Sequence, residues 1–517
     1  MKLLQSEKGV ALVIVVIFAI LGTILGGITL QIAVSESRNA QHQVDSTAAL
    51  YLAEAGIQRA LGELKKLTDE ENLPNEEITI EDFKLDAVGT AGENFLGNND
   101  IEVTITPGSG TLVYYAQASA SVRSATKTIY ATLVAGLPSG VFDYVYFINN
   151  WGWFYGNGIM ARGDVRSNGR FDFKFNPTVN GEIYAVNEVE TNDGDIRGWA
   201  GQEDENGDFP YQHPSSSTLP MPNLQDLSIY EELAIENGST VSIGGNVLID
   251  GVYGDDASES GNIVLVGTVQ DPIEINGPVV VTGDVVIKGK ITGQGVIYSG
   301  RNIYIADEVS YTVSPGASQP NENAEETWYE VNKDKDLVGY AAQENIIFGD
   351  YTSTTGGTWD ADAYLFDMGT EDVGVDGIWG TEDEGENDGE FDAEHEDLDG
   401  DGVMDDFYTW DDVYTSVPIS DFDNCPAGVS NFGDIARNGL QQLDGIFYTN
   451  HAITGRVGNL VLYGSLIGKD DGMVYSRSFN LFYDLRIHSK WHKDNLDWFI
   501  NLGFPVAVDW EIFEWRE

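Results

Sequence analysis

The sequence predicts an α+β protein: a long N-terminal helix with a small antiparallel sheet, followed by a mainly β head. Three observations predict it. An uncharged apolar run from Val10 to Val34 passes without proline into a stripe of small and apolar residues. Short clusters rich in Val and Ile at 263–266, 279–281, 285–287, 296–298 and 303–305 follow one another between Gly-Asn, Gly-Asp and Gly-Lys turns. Glycine numbers 59 in 517 residues, which fits many tight turns and short strands.

The apolar run is about 25 residues long, enough at 1.5 Å per residue to cross a roughly 30 Å hydrocarbon core. It exceeds the roughly 7–15 residues of a secretory h-region, and Ala33-Val34-Ser35 is a poor cleavage site. Beyond it, Ala49, Leu52, Ala53, Gly56, Ile57, Ala60, Leu61 and Leu64 recur at spacings of three and four. Run and stripe therefore read as one helix over 10–67, roughly 87 Å long.

Residues 68–100 are acidic and turn-rich, a connector. "DIEVTITPGSGTLVYYAQASASVRSATKTIYATLVAG" then reads as three strands, and in the last Ile129, Ala131 and Leu133 alternate with Thr128, Tyr130 and Thr132. A small antiparallel sheet over 68–136, laid on the stripe, is the economical arrangement. From 137 to 350 the β-branched clusters are too short for helices and suggest rungs of a right-handed parallel β-helix. A β-sandwich built from hairpins is the alternative. The rhythm returns at 443–488, so 351–430 reads as an excursion and 431–517 as the head continued, closed by a C-terminal strand.

Within the excursion, residues 371–406 hold no lysine or arginine and repeat on their Asp-Gly pairs. One copy offers Asp397, Asp399, Asp401 and Asp405, with Gly402 at position 6 and the Val403 carbonyl at position 7. A second offers Glu384, Glu386, Asp388 and Asp392 with Gly389, and a degenerate third spans 372–380. Alternate carboxylates converging on an ion, with glycine at the sharp turn, is the spacing of a calcium loop. Tyr408 stands where the closing glutamate of an EF-hand would be, so the segment resembles the aspartate repeats of thrombospondin type 3 and dockerin-like loops. The calcium would be structural, held at roughly 10⁻⁴–10⁻³ M. Asp204–Asp208 is a shorter loop of the same kind.

With 84 acidic against 27 basic side chains the formal charge is −57, which opposes nucleic-acid binding. The single cysteine, Cys425, excludes an internal disulfide. The six histidines are scattered, neither HExxH nor GxSxG occurs, and His488 and His492 lack a third ligand. The reading is non-enzymatic. The aromatic segment 142–158 reads as a cap on an open end of the head.

Lys8-Gly9-Val10-Ala11-Leu12, the apolar run, and Tyr51-Leu52-Ala53-Glu54-Ala55-Gly56-Ile57 together resemble type IV pilins, in particular the PilX-type minor pilins. The resemblance covers about the first 70 residues. It implies a leader over 1–9, cut between Gly9 and Val10 by a prepilin peptidase, and a retained helix that packs as the spine of a filament. It also implies other pilins or pseudopilins and an inner-membrane assembly platform as partners. The subunit would be anchored in the inner membrane before assembly, with its head in the periplasm or on the cell surface. Major pilins carry glutamate at the fifth mature position, where this chain has Ile14; that departure resembles tip-type subunits, including the large pseudopilin of type II secretion, or reflects drift in a minor subunit. The head could then meet a surface or carbohydrate ligand. The alternatives are a membrane-anchored surface adhesin outside any filament, or a calcium-dependent polysaccharide-active β-helix enzyme.

Overall fold

A computed structural model describes residues 7–69, 78–80, 100–108, 113–135, 139–191, 196–315, 320, 324–352, 372, 385, 392, 417–469, 471–475, 477–506 and 510–516. It is α+β, a long helix with a mostly β body. The chain divides into two compact units, Met1–Ala135 with Asp509–Glu517, and Gly136–Val508.

The first unit is the helix α1 (Glu7–Asp69) and a five-stranded antiparallel sheet. Strands β1 (Ile78–Ile80), β2 (Asp100–Pro107), β3 (Val113–Val122) and β4 (Ala125–Ala135) pair in chain order. The fifth strand is Trp510–Arg516, which pairs antiparallel with β4 from Trp510 opposite Ala135. The sequence places that strand at the end of the head; its alternation marks a half-buried strand but says nothing of its partner. The head is therefore an insertion between two neighbouring strands of the small sheet. On β3, Ala116, Ala118 and Ala120 are buried while Tyr115 and Gln117 are exposed; on β4, Ile129, Ala131 and Leu133 are buried. These are the inward residues that the alternation on β4 predicts.

In the second unit nearly all pairings are parallel; Trp151–Tyr155, Arg170–Lys174 and Val189–Glu190 form a small sheet of their own, and three ladders run through the large one. One runs Val281, Ser299, Ala342, Thr449, Gly468, Ile148, Ser167, Ala185, each opposite the next. A second runs Ile263, Val285, Ile303, Ile346, Ile453, Gly472. A third runs Leu443, Leu462, Leu481, Ala161, Val179, Gly198. Thr240–Ile243 is the exception, antiparallel to Asn246–Asp250 and Ile273–Asn276. Ladders of parallel neighbours are not the hairpin pairings that a β-sandwich requires.

Chain order and spatial order differ. Tyr146–Ile148, the first strand of the head, lies between Leu466–Gly468 and Val165–Ser167. The chain thus enters the stack in its middle, builds outward to Gln212–His213, then restarts near residue 240 and builds back. Of the aromatic segment 142–158, Tyr146–Ile148 is internal, with a strand on each side, whereas Trp151–Tyr155 pairs with Arg170–Lys174 and is the edge of a three-stranded parallel sheet.

The turns before the second ladder explain why successive rungs stay in register. Asn262 Oδ1 accepts the backbone N–H of Asp284 at 2.8 Å, and Asp284 Oδ1 accepts that of Asn302 at 3.2 Å. Asn302 Oδ1 accepts the N–H of Asn345 at 3.0 Å, and Asn345 Oδ1 that of Ala452 at 3.3 Å. Asp284, Asn302 and Asn345 are buried, so each side chain satisfies a turn amide that water cannot reach.

The strands read as unbroken apolar runs because both of their sides are covered. Ile263, Val285 and Ile303 point to the main core, while Val264, Val286, Tyr304 and Ile347 pack under Ile419, Phe422, Phe432 and Ile435. On the first ladder Tyr298 stacks on Tyr230 at 4.1 Å and donates to the Gly503 carbonyl at 2.6 Å. Tyr311 and Leu337, and Phe348 and Gln442, are separated in the chain by long intervals whose described residues form no strand of the stack. The sequence marks only the second. Arg486, fully buried, fastens the first: it grips Asp484 at 2.6 Å and donates to the carbonyls of Asn332, Lys335 and Asp336 at 3.2, 2.9 and 2.8 Å.

Candidate functional site

The helix α1 changes character along its length. From Leu12 to Val34 every large apolar side chain is exposed, Leu12 at 66% and Phe18 at 68%. The run is long and apolar enough to cross a membrane. Its threonines fit such a setting: the Thr23 hydroxyl donates to the Ala19 carbonyl and that of Thr29 to Leu25, both at 2.8 Å. Gly9 and Val10 lie in the first turns of this helix, and Ile14 is 47% exposed.

From Asp45 the helix lies on the sheet. Ala49, Ala53, Gly56, Ile57, Ala60 and Leu64 are buried, and Leu52 and Leu61 sit half-buried at the edges of the stripe. The small residues set the distance. A Cβ added to Gly56 would lie 2.8 Å from Ala118 Cβ and 3.1 Å from Val103 Cγ2, so only glycine lets helix and sheet meet there. Asp45 accepts from Gln41 Nε2 at 2.8 Å and pairs with Arg123 at 3.2 Å, which ties the stripe's start to the turn between β3 and β4.

The residues predicted to bind calcium fall mostly outside the described residues: Asp397, Asp399, Asp401, Val403, Asp405, Glu384, Glu386 and Asp388. Asp392 is described and exposed. Among the described residues no group of three or more His, Cys, Asp or Glu side chains could hold a metal. In the Asp204–Asp208 loop, Asp204 Oδ1 accepts the N–H groups of Asn206 and Asp208 at 2.7 and 2.9 Å, which holds its carboxyl below the usual range. The carboxylate closes its own turn. His488 faces Asp143 at 3.3 Å and titrates below the ordinary histidine value, chiefly because burial opposes its charge; the His492 side chain lies outside the described residues.

Of the aromatic segment, Phe142, Tyr146, Phe147 and Phe154 enter the core. Trp151, Trp153 and Tyr155 alternate with buried neighbours and stay half-buried, with Arg170 over the Trp151 ring at 4.8 Å and Lys174 Nζ over Tyr155 at 4.6 Å.

No family model matches the chain, and no curated protein matches it. Among solved structures, the competence-associated pilin ComZ from Thermus thermophilus aligns over 92% of this chain and 97% of its own, at 10% identity and a TM-score of 0.29. A likeness that loose carries no functional weight.

Proposed function

We propose that the protein is a minor pilin or pseudopilin of the PilX type, cut between Gly9 and Val10 and assembled through α1 into a type IV pilus or a type II secretion-like filament. The observation that carries this reading is the division of one 63-residue helix into a half whose large apolar side chains are exposed and a half fixed to a small sheet. An exposed apolar surface of that size needs a lipid or protein cover. A membrane before assembly, and neighbouring spines after it, would supply both in turn. Ile14 supports a place at the tip, since a buried carboxylate there would require a positive partner from a subunit ahead.

The head is read as a right-handed parallel β-helix carried outward by the spine, with an adhesive role at the cell surface. Three parallel ladders and the asparagine-rich turns between rungs support the β-helix. Calcium at Asp397, Asp399, Asp401, Asp405 and the Val403 carbonyl, and at Glu384, Glu386, Asp388 and Asp392, would order the acidic excursion. Calcium should raise the melting temperature of the full chain relative to chelator, and an unchanged temperature removes the metal from the account.

Immunogold microscopy with an antibody to the head tests the assembly reading. Labelled filaments or their bases support it. Label spread evenly over the envelope, with filaments bare, supports a plain anchored adhesin instead.

A further inference from the structure

One corner of the head carries a glycine followed by a carboxylate on two neighbouring strands. Gly163-Asp164 and Gly181-Glu182 fall in register where the third ladder ends, one residue beyond the paired Arg162 and Asn180, while on the next strand Gly198 stands opposite Val179, two positions earlier, and Trp199 follows it. The glycines are required by close stacking. A Cβ at Gly163 would come 2.6 Å from Tyr483 Cβ, one at Gly181 2.2 Å from the Gly163 oxygen, and one at Gly198 2.4 Å from the Val179 oxygen. The residue after each glycine lines a single cleft of about 700 Å³, which Asp143, His488 and Lys490 also line.

The charges of the cleft select its ligand. Lys490 is neutralised by Glu325 at 2.5 Å. His488 Nδ1 accepts the Lys490 N–H at 3.2 Å, as a neutral ring does, and burial favours that form. Asp143, Asp164 and Glu182 remain as the excess charge. Burial, reinforced by the Glu182 and Asp143 carboxylates, raises the Asp164 carboxyl above the ordinary range. Glu182 is fixed by Tyr184 at 2.6 Å and His213 at 2.8 Å, and Asp143 by the Ser489 amide and hydroxyl at 2.7 and 2.6 Å. Acceptors held in this way suit hydroxyl or ammonium donors and repel anions. Trp199, which lines the cleft together with Tyr211, is 55% exposed, so a large aromatic surface is left accessible to a ligand.

We propose that this corner cleft binds a glycan without acidic groups, its sugar ring lying on Trp199 and its hydroxyl or amino groups bonding to Asp164 and Glu182. This deepens the adhesive part of the reading above and does not depend on filament assembly.

Calorimetry on the detergent-solubilised full chain tests it with three probes: a glucosamine hexamer, an N-acetylglucosamine hexamer and an oligogalacturonate. The first two should bind, the glucosamine hexamer more tightly at low salt, and the acidic oligomer should not. Trp199→Ala should weaken both at least about tenfold. Asp164→Asn should weaken the glucosamine hexamer more than its acetylated form. Should the Trp199 variant melt early, Asp164→Asn, which keeps the side-chain size, decides. Absence of binding by both neutral and amino probes overturns the proposal. So does binding that neither substitution changes, or equal binding of the oligogalacturonate.

Discussion

The two units keep their strands in place by different means. In the first, a one-sided sheet meets a helix through small residues: Ala116, Ala118 and Ala120 face Ala49, Ala53, Gly56 and Ala60, and the other side stays polar, with Ser119 bonded to Thr128 at 2.7 Å. In the head, strands are covered on both sides, and buried polar side chains bind the turns of neighbouring rungs. The difference teaches where each unit is vulnerable. The first fails when volume is added at its interface, the second when a buried polar partner is removed.

The largest effect should come from the head's buried ion pair. Arg486→Met leaves Asp484 and three carbonyls without their donor, and breaking such a pair costs about 3–5 kcal/mol. Thermal melting should show the head destabilised by that amount; a loss below 1 kcal/mol would mean that Arg486 is a bystander. Next comes the helix interface. Gly56→Val forces a branched side chain against Ala118 and Val103 and should cost about 1–3 kcal/mol. Its contrast on the same helix is Ile24→Asp, at an exposed position. That change should leave the melting temperature in detergent unaltered while weakening membrane retention, the insertion penalty being about 2.5–3.5 kcal/mol. Equal melting losses for the two variants would erase the distinction between the halves of α1. In the head, Asn302→Ala strips the acceptor from the Asn345 amide and should cost about 1–3 kcal/mol. The smallest change belongs to Arg123→Ala, whose partner Asp45 is buried but whose own side chain is 67% exposed; about 0.2–1 kcal/mol is expected, shrinking with salt.

Local periodicity made the first unit legible. The spacing of Ala49, Ala53, Gly56, Ile57, Ala60 and Leu64 gives the packed face of α1, and the alternation through Ile129, Ala131 and Leu133 gives the inward side of β4. Partner choice was not legible. Nothing near Trp510–Arg516 indicates that it returns to β4, and nothing near Tyr146–Ile148 places it beside Leu466–Gly468, because pairing between distant segments leaves no local period. The head's turns held more than was read from them. Asn262, Asp284, Asn302 and Asn345 each precede a β-branched strand, and that shared phase is the mark of stacked rungs, whereas each turn taken alone suits a hairpin equally well. The cleft is hidden in the sequence for the same reason, since Gly163-Asp164 and Gly181-Glu182 mean little until their strands are superimposed.

The central claim is that α1 is a processed spine carrying an inserted head. Mass spectrometry of the N-terminus of the protein extracted from membranes tests it most directly. The account predicts a mature chain beginning at Val10, with α1 otherwise intact. A chain that keeps Met1, or one cut beyond Val34, would contradict it.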